Sequence, residues 1–143
     1  MAKTGTDQKV EALANVGLFT VCNQRELKEM ARLCTSLSVD EGFVLATEGG
    51  SGRECFVIAD GTALVTIGGE PVGVVGPGEC VGEMALLDRG PRTATVVAQT
   101  PMTLYVLSAH EFHTMLGLSP GIATKVAASV ARRLRAYETT RPH

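Results

Sequence analysis

Residues 76–98, Gly-Pro-Gly-Glu-Cys-Val-Gly-Glu-Met-Ala-Leu-Leu-Asp-Arg-Gly-Pro-Arg-Thr-Ala-Thr-Val-Val-Ala, concentrate groups that could hold a small anion. Gly82-Glu83 followed by Met84-Ala85-Leu86-Leu87 predicts one helical turn set between strands, and Gly90-Pro91 returns the chain to a strand, Thr93–Ala98. A helical turn that begins at a glycine offers unpaired N–H groups and the positive end of a dipole, which suit one phosphate. Arg92 can reach the same anion with a planar fork of donors. Glu83 supplies acceptors for a sugar hydroxyl. One phosphate, one hydroxyl and an apolar wall describe a nucleotide with a single phosphate of low charge.

The elements around this stretch are written mostly in glycine. Twelve of the sixteen glycines fall between Gly42 and Gly90, where they separate short β-branched runs. Phe43–Thr47, Cys55–Ala59, Ala63–Ile67, Pro71–Val75, Thr93–Ala98 and Thr103–Leu107 read as strands. Asp60-Gly61 and Gly68-Gly69 read as two-residue hairpin turns. Short strands with regular turns and no alternating helices predict an antiparallel sandwich or barrel. Helices flank it. Asn23 caps Gln24–Cys34, and Ser108 caps Ala109–Leu116 with Glu111 in capping-box position. A third helix opens at Ser119-Pro120 and carries an apolar stripe of Ile122, Val126, Ala127, Val130 and Leu134, with Arg132, Arg133 and Arg135 toward its C-terminal end.

Gly82-Glu83-Met84-Ala85-Leu86-Leu87 with Pro91-Arg92-Thr93-Ala94-Thr95-Val96 resembles the phosphate-binding cassette of cyclic nucleotide-binding domains, the family of the catabolite activator, kinase regulatory subunits and nucleotide-gated channels. Glu48-Gly49, Gly52 and Phe56–Ala63 resemble the family's earlier strand-and-hairpin signature, and matching features run from about Leu18 to Tyr137. The resemblance implies a mainly β fold with flanking helices: an antiparallel jelly-roll, or double-stranded β-helix, over about 37–108. N-terminal helices over about 8–35 and C-terminal helices over about 109–138 complete one domain, 1–143. It further implies that Arg92 pairs with a phosphate oxygen and that Glu83 accepts from the ribose 2′-hydroxyl. Amides near Gly82, Met84 and Ala85 would complete the cradle, Thr93 would touch the phosphate or a syn guanine, and Tyr137 would stack on the base. Thr93 does not by itself decide between cAMP and cGMP; cAMP is put first. The ligand is a cyclic nucleotide, with no separate cofactor. The implied partners are an effector domain or protein, or a second copy through the C-terminal helix.

An isolated Gly-Glu turn near an arginine is ordinarily a structural turn. Here both parts recur at the family's spacing. Relatives that keep the fold and lose the ligand usually lose the arginine or the glutamate, and this chain keeps both. His110 and His113 lie three apart on a helix without a third ligand at suitable spacing, so packing or solvation is favoured over metal. Met84, Met102 and Met115 read as core filler, and Arg132, Arg133 and Arg135 as a solvated helix end with a phosphate or partner contact left open.

Charge and composition narrow the classes. Residues 1–124 carry eight cations against fourteen acids, and 37–108 hold only Arg53, Arg89 and Arg92, a surface that repels polyanions. A cupin needs paired histidines on its strands, and no histidine precedes His110. No Gly-x-Ser-x-Gly elbow marks a hydrolase, so an enzyme is not expected. A DNA reader of the catabolite-activator kind needs a helix-turn-helix beyond the long helix, and the chain stops at His143. No apolar run spans a membrane and no signal peptide is visible, so the expected place is the cytoplasm, with Cys22, Cys34, Cys55 and Cys80 reduced. Two alternatives stay open: a nucleotide-free domain of the same fold acting through protein contacts, and the sensor fragment of a longer effector protein.

Overall fold

The computed structural model describes residues 5–140, with side chains described as far as Ala136. Helices α1 (Gly5–Leu13) and α2 (Gln24–Leu33), joined through a 3-10 turn at Gly17–Phe19, precede the strands. Eight strands follow: β1 (Thr35–Val39), β2 (Val44–Ala46), β3 (Glu54–Asp60), β4 (Ala63–Ile67), β5 (Glu70–Val75), β6 (Cys80–Val81), β7 (Thr95–Ala98) and β8 (Met102–Ser108). A second 3-10 turn, Glu83–Leu86, separates β6 from β7, and α3 (Ala109–Leu118) and α4 (Pro120–Thr140) close the order.

All pairings are antiparallel, in two four-stranded sheets of order β1-β8-β3-β6 and β2-β7-β4-β5. Phe56 and Ile58 of β3 and Leu104 of β8 point into a core between the sheets, with Val39, Leu45, Val81, Val96, Ala98 and Met102. The alternate residues Cys55, Val57, Tyr105 and Leu107 point the other way, into a second core roofed by the helices. The first sheet is therefore covered on both faces, so β3 reads as a continuous apolar run instead of an alternating one. Leu86, fully buried, drives the second 3-10 turn into that helical core.

The helical caps follow the residues expected for them. Asn23 accepts from the Glu26 amide and Glu26 returns a bond to the Asn23 amide, a reciprocal capping box. Ser108 accepts from the Glu111 amide. Gly68-Gly69 closes the β4–β5 hairpin with Ile67 opposite Glu70, and φ of 59° and 82° at the two glycines gives a turn whose twist suits the flanking strands.

Three expectations change. Asp60-Gly61 is not a hairpin, because β3 and β4 belong to different sheets and the chain crosses there from one to the other. Strands β1 and β6 were not foreseen: β1 is a mixed Thr-Ser-Leu-Ser-Val edge strand that exists through its pairing with β8, and β6 has two residues. The apolar stripe of α4 also shifts. Ile122, Val126 and Ser129 are buried, whereas Ala127 is exposed and Leu134 is 57% exposed. The helix turns its 122, 126, 129 row toward the Gly17–Phe19 turn, and Arg133, itself exposed, lays its guanidinium beside Gly17.

Lys125 Nζ of α4 donates to Glu26 Oε1 at 2.6 Å, tying α4 to α2. The bond from Lys125, with that from the Asn23 amide, holds the Glu26 carboxyl below its ordinary range. A depressed folded value means the tie is complete above the unfolded carboxyl pKa of about 4.3 and is lost as pH falls through the folded value. Glu26→Gln keeps the capping bond but loses the charge. Its urea midpoint should fall below the native one near pH 7, and the gap should close as the pH is lowered below the ordinary carboxyl range. A gap that does not narrow refutes the tie.

Candidate functional site

The cassette is held from three sides. Toward the helices, Leu86 is buried and its carbonyl meets Nε2 of His113 on α3. Toward the chain's start, the Leu18 amide donates to Glu83 Oε2 at 2.9 Å. From α4, Arg133 Nη2 donates to Glu83 Oε1 at 2.6 Å, and Nη1 meets the Met84 sulfur at 3.7 Å. Arg133 is thus no solvated helix end but a link between α4 and the cassette. Within the turn the Ala85 amide donates to the Gly82 carbonyl at 3.0 Å. The amides of Glu83 and Met84, at the start of the turn, have no acceptor inside it.

Arg92 is positioned by backbone. Its amide donates to the Gly50 carbonyl and its carbonyl accepts from Gly49, both at 2.8 Å, so the Glu48–Gly52 loop clamps the residue to the segment before β7. Its Nη2 donates to the Glu54 carbonyl at 2.8 Å. The guanidinium then lies between Gly52 and Gly82, and a Cβ at either would collide with it. Gly82 also has φ +82°, which L side chains rarely adopt. Two glycines thirty positions apart are therefore required by one side chain. Among the described residues no carboxylate pairs with Arg92. Its charge faces a cavity of about 300 Å³, at the lower end of small-ligand pockets.

That cavity is lined by Gly82, Met84, Ala85, Asp88, Gly90, Pro91, Arg92 and Thr93. Five of the expected site residues, Gly82, Met84, Ala85, Arg92 and Thr93, therefore meet in one place. Met84 is 46% exposed at its rim, not core filler. Glu83 is not among the walls; its carboxylate is on the helical side, 15% exposed, occupied by Leu18 and Arg133. Tyr137 belongs to α4, and its side chain lies outside the described residues. A larger cleft of about 610 Å³ between α1 and the first sheet has Gln8, Glu11, Asn15 and Asp60 among its walls and no cation, so it does not suit an anion. The sequence reading missed Arg133, the Glu54 carbonyl and the Leu18 amide. The first was detectable, because Arg133 follows Ser129 by four on the row that begins Ile122, Val126.

One uncompensated guanidinium beside the start of a helical turn, in a cavity of this size, can hold one small anionic group. Residues 36–117 match the family described as cyclic nucleotide-binding domain, and the chain belongs to that family. The acetyltransferase Pat of Mycolicibacterium smegmatis is 33% identical over 96% of this chain and 42% of its own length. The chain spans less than half the length of the curated relatives it matches. The N-terminal domain of a transcriptional regulator from Streptomyces coelicolor A3(2) superposes with a TM-score of 0.84 at 30% identity, over 92% of this chain and 94% of that one. The regulatory domain of Toxoplasma gondii PKA, crystallised with cAMP, gives a TM-score of 0.71 at 28% identity, over 80% of this chain and 46% of that one. The jelly-roll fold is that of these domains.

Proposed function

We propose that the chain is a regulatory sensor domain that binds a cyclic mononucleotide, cAMP ahead of cGMP, and signals through α4. The observation that carries this reading is Arg92, a cation with no carboxylate partner among the described residues, lining the same cavity as Gly82, Met84, Ala85 and Thr93. The cyclic phosphate would accept from Arg92 and from amides at the start of the cassette turn. Family membership and a cAMP complex among the structural neighbours support the choice of ligand.

Glu83 takes the ribose 2′-hydroxyl in this reading. Each carboxylate oxygen has a second lone pair, so the hydroxyl can be accepted while Arg133 and the Leu18 amide stay bound, or in their place. Either way the ligand touches the group that holds α4, and a differential contact of that kind is what shifts a two-state equilibrium. Tyr137, on the last turns of α4, would stack on the purine. Residues 1–143 would act as one non-catalytic domain in the cytoplasm, answering to an effector domain or protein or to a second copy through α4, where Leu134 is exposed.

Calorimetric titration with cAMP, cGMP and their 2′-deoxy analogues tests this. Binding of the cyclic ribonucleotides, weaker for the 2′-deoxy forms in the native protein but not in Glu83→Ala, is the expected result. No preference in the native protein removes the hydroxyl from Glu83. Hydrogen exchange over residues 120–138 should differ with and without ligand, and equal protection leaves a binding module without this switch. A second reading, a nucleotide-free interaction module, draws on the engagement of Glu83 by Arg133 and Leu18. It predicts no heat of binding with any cyclic nucleotide.

A further inference from the structure

Two of the four cysteines meet where the strand that leads into the cassette pairs with β3. Cys80 of β6 stands opposite Val57 of β3, and Cys55 is two residues from Val57 along β3, so both side chains lie on one face of the sheet as diagonal neighbours. That register sets the two thiols side by side, so each shifts the other's acidity. Cys55 is fully buried in the helical core, while Cys80 is half-buried on the edge strand. Their mutual interaction divides their acidity. It holds the Cys80 thiol below its ordinary range, and together with burial it pushes Cys55 well above. Burial raises both other thiols: Cys22, and Cys34 to about 11.

We propose that Cys80 is a peroxide-modification site, and that Cys55 resolves the product into an intrachain disulfide that displaces the start of the cassette. The oxidant is a hydroperoxide. The Cys80 thiolate attacks the outer peroxide oxygen, the O–O bond breaks, and Cys80 becomes a sulfenic acid while the other oxygen leaves and is protonated. Cys55 sulfur then attacks the Cys80 sulfur; the S–O bond breaks and the departing hydroxyl takes the Cys55 proton as water. Two thiols lose two electrons and the peroxide gains them.

The geometry gives the reaction a mechanical consequence. Diagonal strand neighbours have Cα atoms about 7–8 Å apart. A disulfide spans about 4.4–6.8 Å between Cα atoms. Closing the bond therefore draws one strand along the other. β6 is the element able to move, being two residues long, at the edge of its sheet and continuous with Gly82. Movement there shifts Gly82 against the Arg92 guanidinium and pulls Glu83 against Leu18 and Arg133. The modification site does not depend on the nucleotide reading, since its readouts are covalent and conformational.

The test treats the full native chain with equimolar hydrogen peroxide, blocks remaining thiols, and digests after glutamate, because Glu70 and Glu79 separate the two cysteines. The expected product is a dithiothreitol-sensitive Cys55–Cys80 link. Cys80 should be consumed about tenfold faster than Cys22, because its thiol is held below the ordinary range whereas burial raises that of Cys22. In Cys55→Ser the reaction should stop at a Cys80 sulfenic acid captured by dimedone, and in Cys80→Ser the Cys55 thiol should stay unreacted. Hydrogen exchange over 80–87 in the oxidised native protein should rise above the reduced protein, a comparison that needs no substitution. A link to Cys34, preferential oxidation of Cys22, or an untouched Cys80 overturns the site. A Cys55–Cys80 disulfide with unchanged exchange over 80–87 overturns the displacement.

Discussion

Arg92→Ala should weaken cyclic nucleotide binding by roughly ten- to a hundredfold or more, read by calorimetry against native protein. Bonds between a charged donor and a partly desolvated acceptor are worth about 1.5–3 kcal/mol each. Every 1.4 kcal/mol or so is a factor of ten. The residue's backbone is held by Gly49 and Gly50 independently of the side chain, so the loop should keep its course in the variant. Arg92→Lys should restore only part of the affinity. Arg92 spends one nitrogen on the Glu54 carbonyl and keeps others for the ligand, whereas an ammonium is a single point that cannot be in both places. Unchanged affinity in the alanine variant would refute the assignment of this cavity as the phosphate site.

Phe112→Ala should produce the largest loss of stability, about 3–5 kcal/mol, because the ring is fully buried and its removal leaves a cavity under the helices. Its centroid is 5.7 Å from that of Phe19, with the rings tilted by 49°, so α3 and the Gly17–Phe19 turn lean on each other through this pair. Against a total of about 5–15 kcal/mol, the loss is a large fraction. For a chain of this size the melting temperature should fall by on the order of 10 °C. The effect should reach the site, since Leu18, which donates to Glu83, is in the same turn as Phe19. A change in urea midpoint equivalent to less than about 1 kcal/mol would mean that the helical layer unfolds apart from the β-roll.

What could be read from residues in order was local. The Asn23 and Ser108 caps, the Gly68-Gly69 turn and the Gly82–Leu86 turn each depend on groups within a few positions of one another, so their chemistry is written contiguously. The strand runs were legible for the same reason, with ends displaced by one or two residues. Ala63–Ile67 is as expected, while Phe43–Thr47 is trimmed to Val44–Ala46. The composition of β1, by contrast, carries little strand signal. Four of its five residues are exposed, and pairing with β8 makes it a strand.

By itself the sequence determined most of the elements, the antiparallel sandwich-or-barrel class, and the cassette that brings an arginine near a glycine-led turn. Tertiary structure decided everything that depends on which distant groups become neighbours. Whether Asp60-Gly61 turns back or crosses between sheets depends on where β7 and β8 have already placed their hydrogen-bonding edges. Which residues of α4 are buried depends on the helix's rotation against Gly17–Phe19, because a 3.6-residue repeat permits either the 130–134 or the 129–133 continuation. That rotation places Arg133 on Glu83, fifty positions away, so the residue read as a sugar ligand is also the point where the cassette meets the last helix. Local propensity is a property of a few consecutive residues, whereas the partner of a charge is chosen by packing.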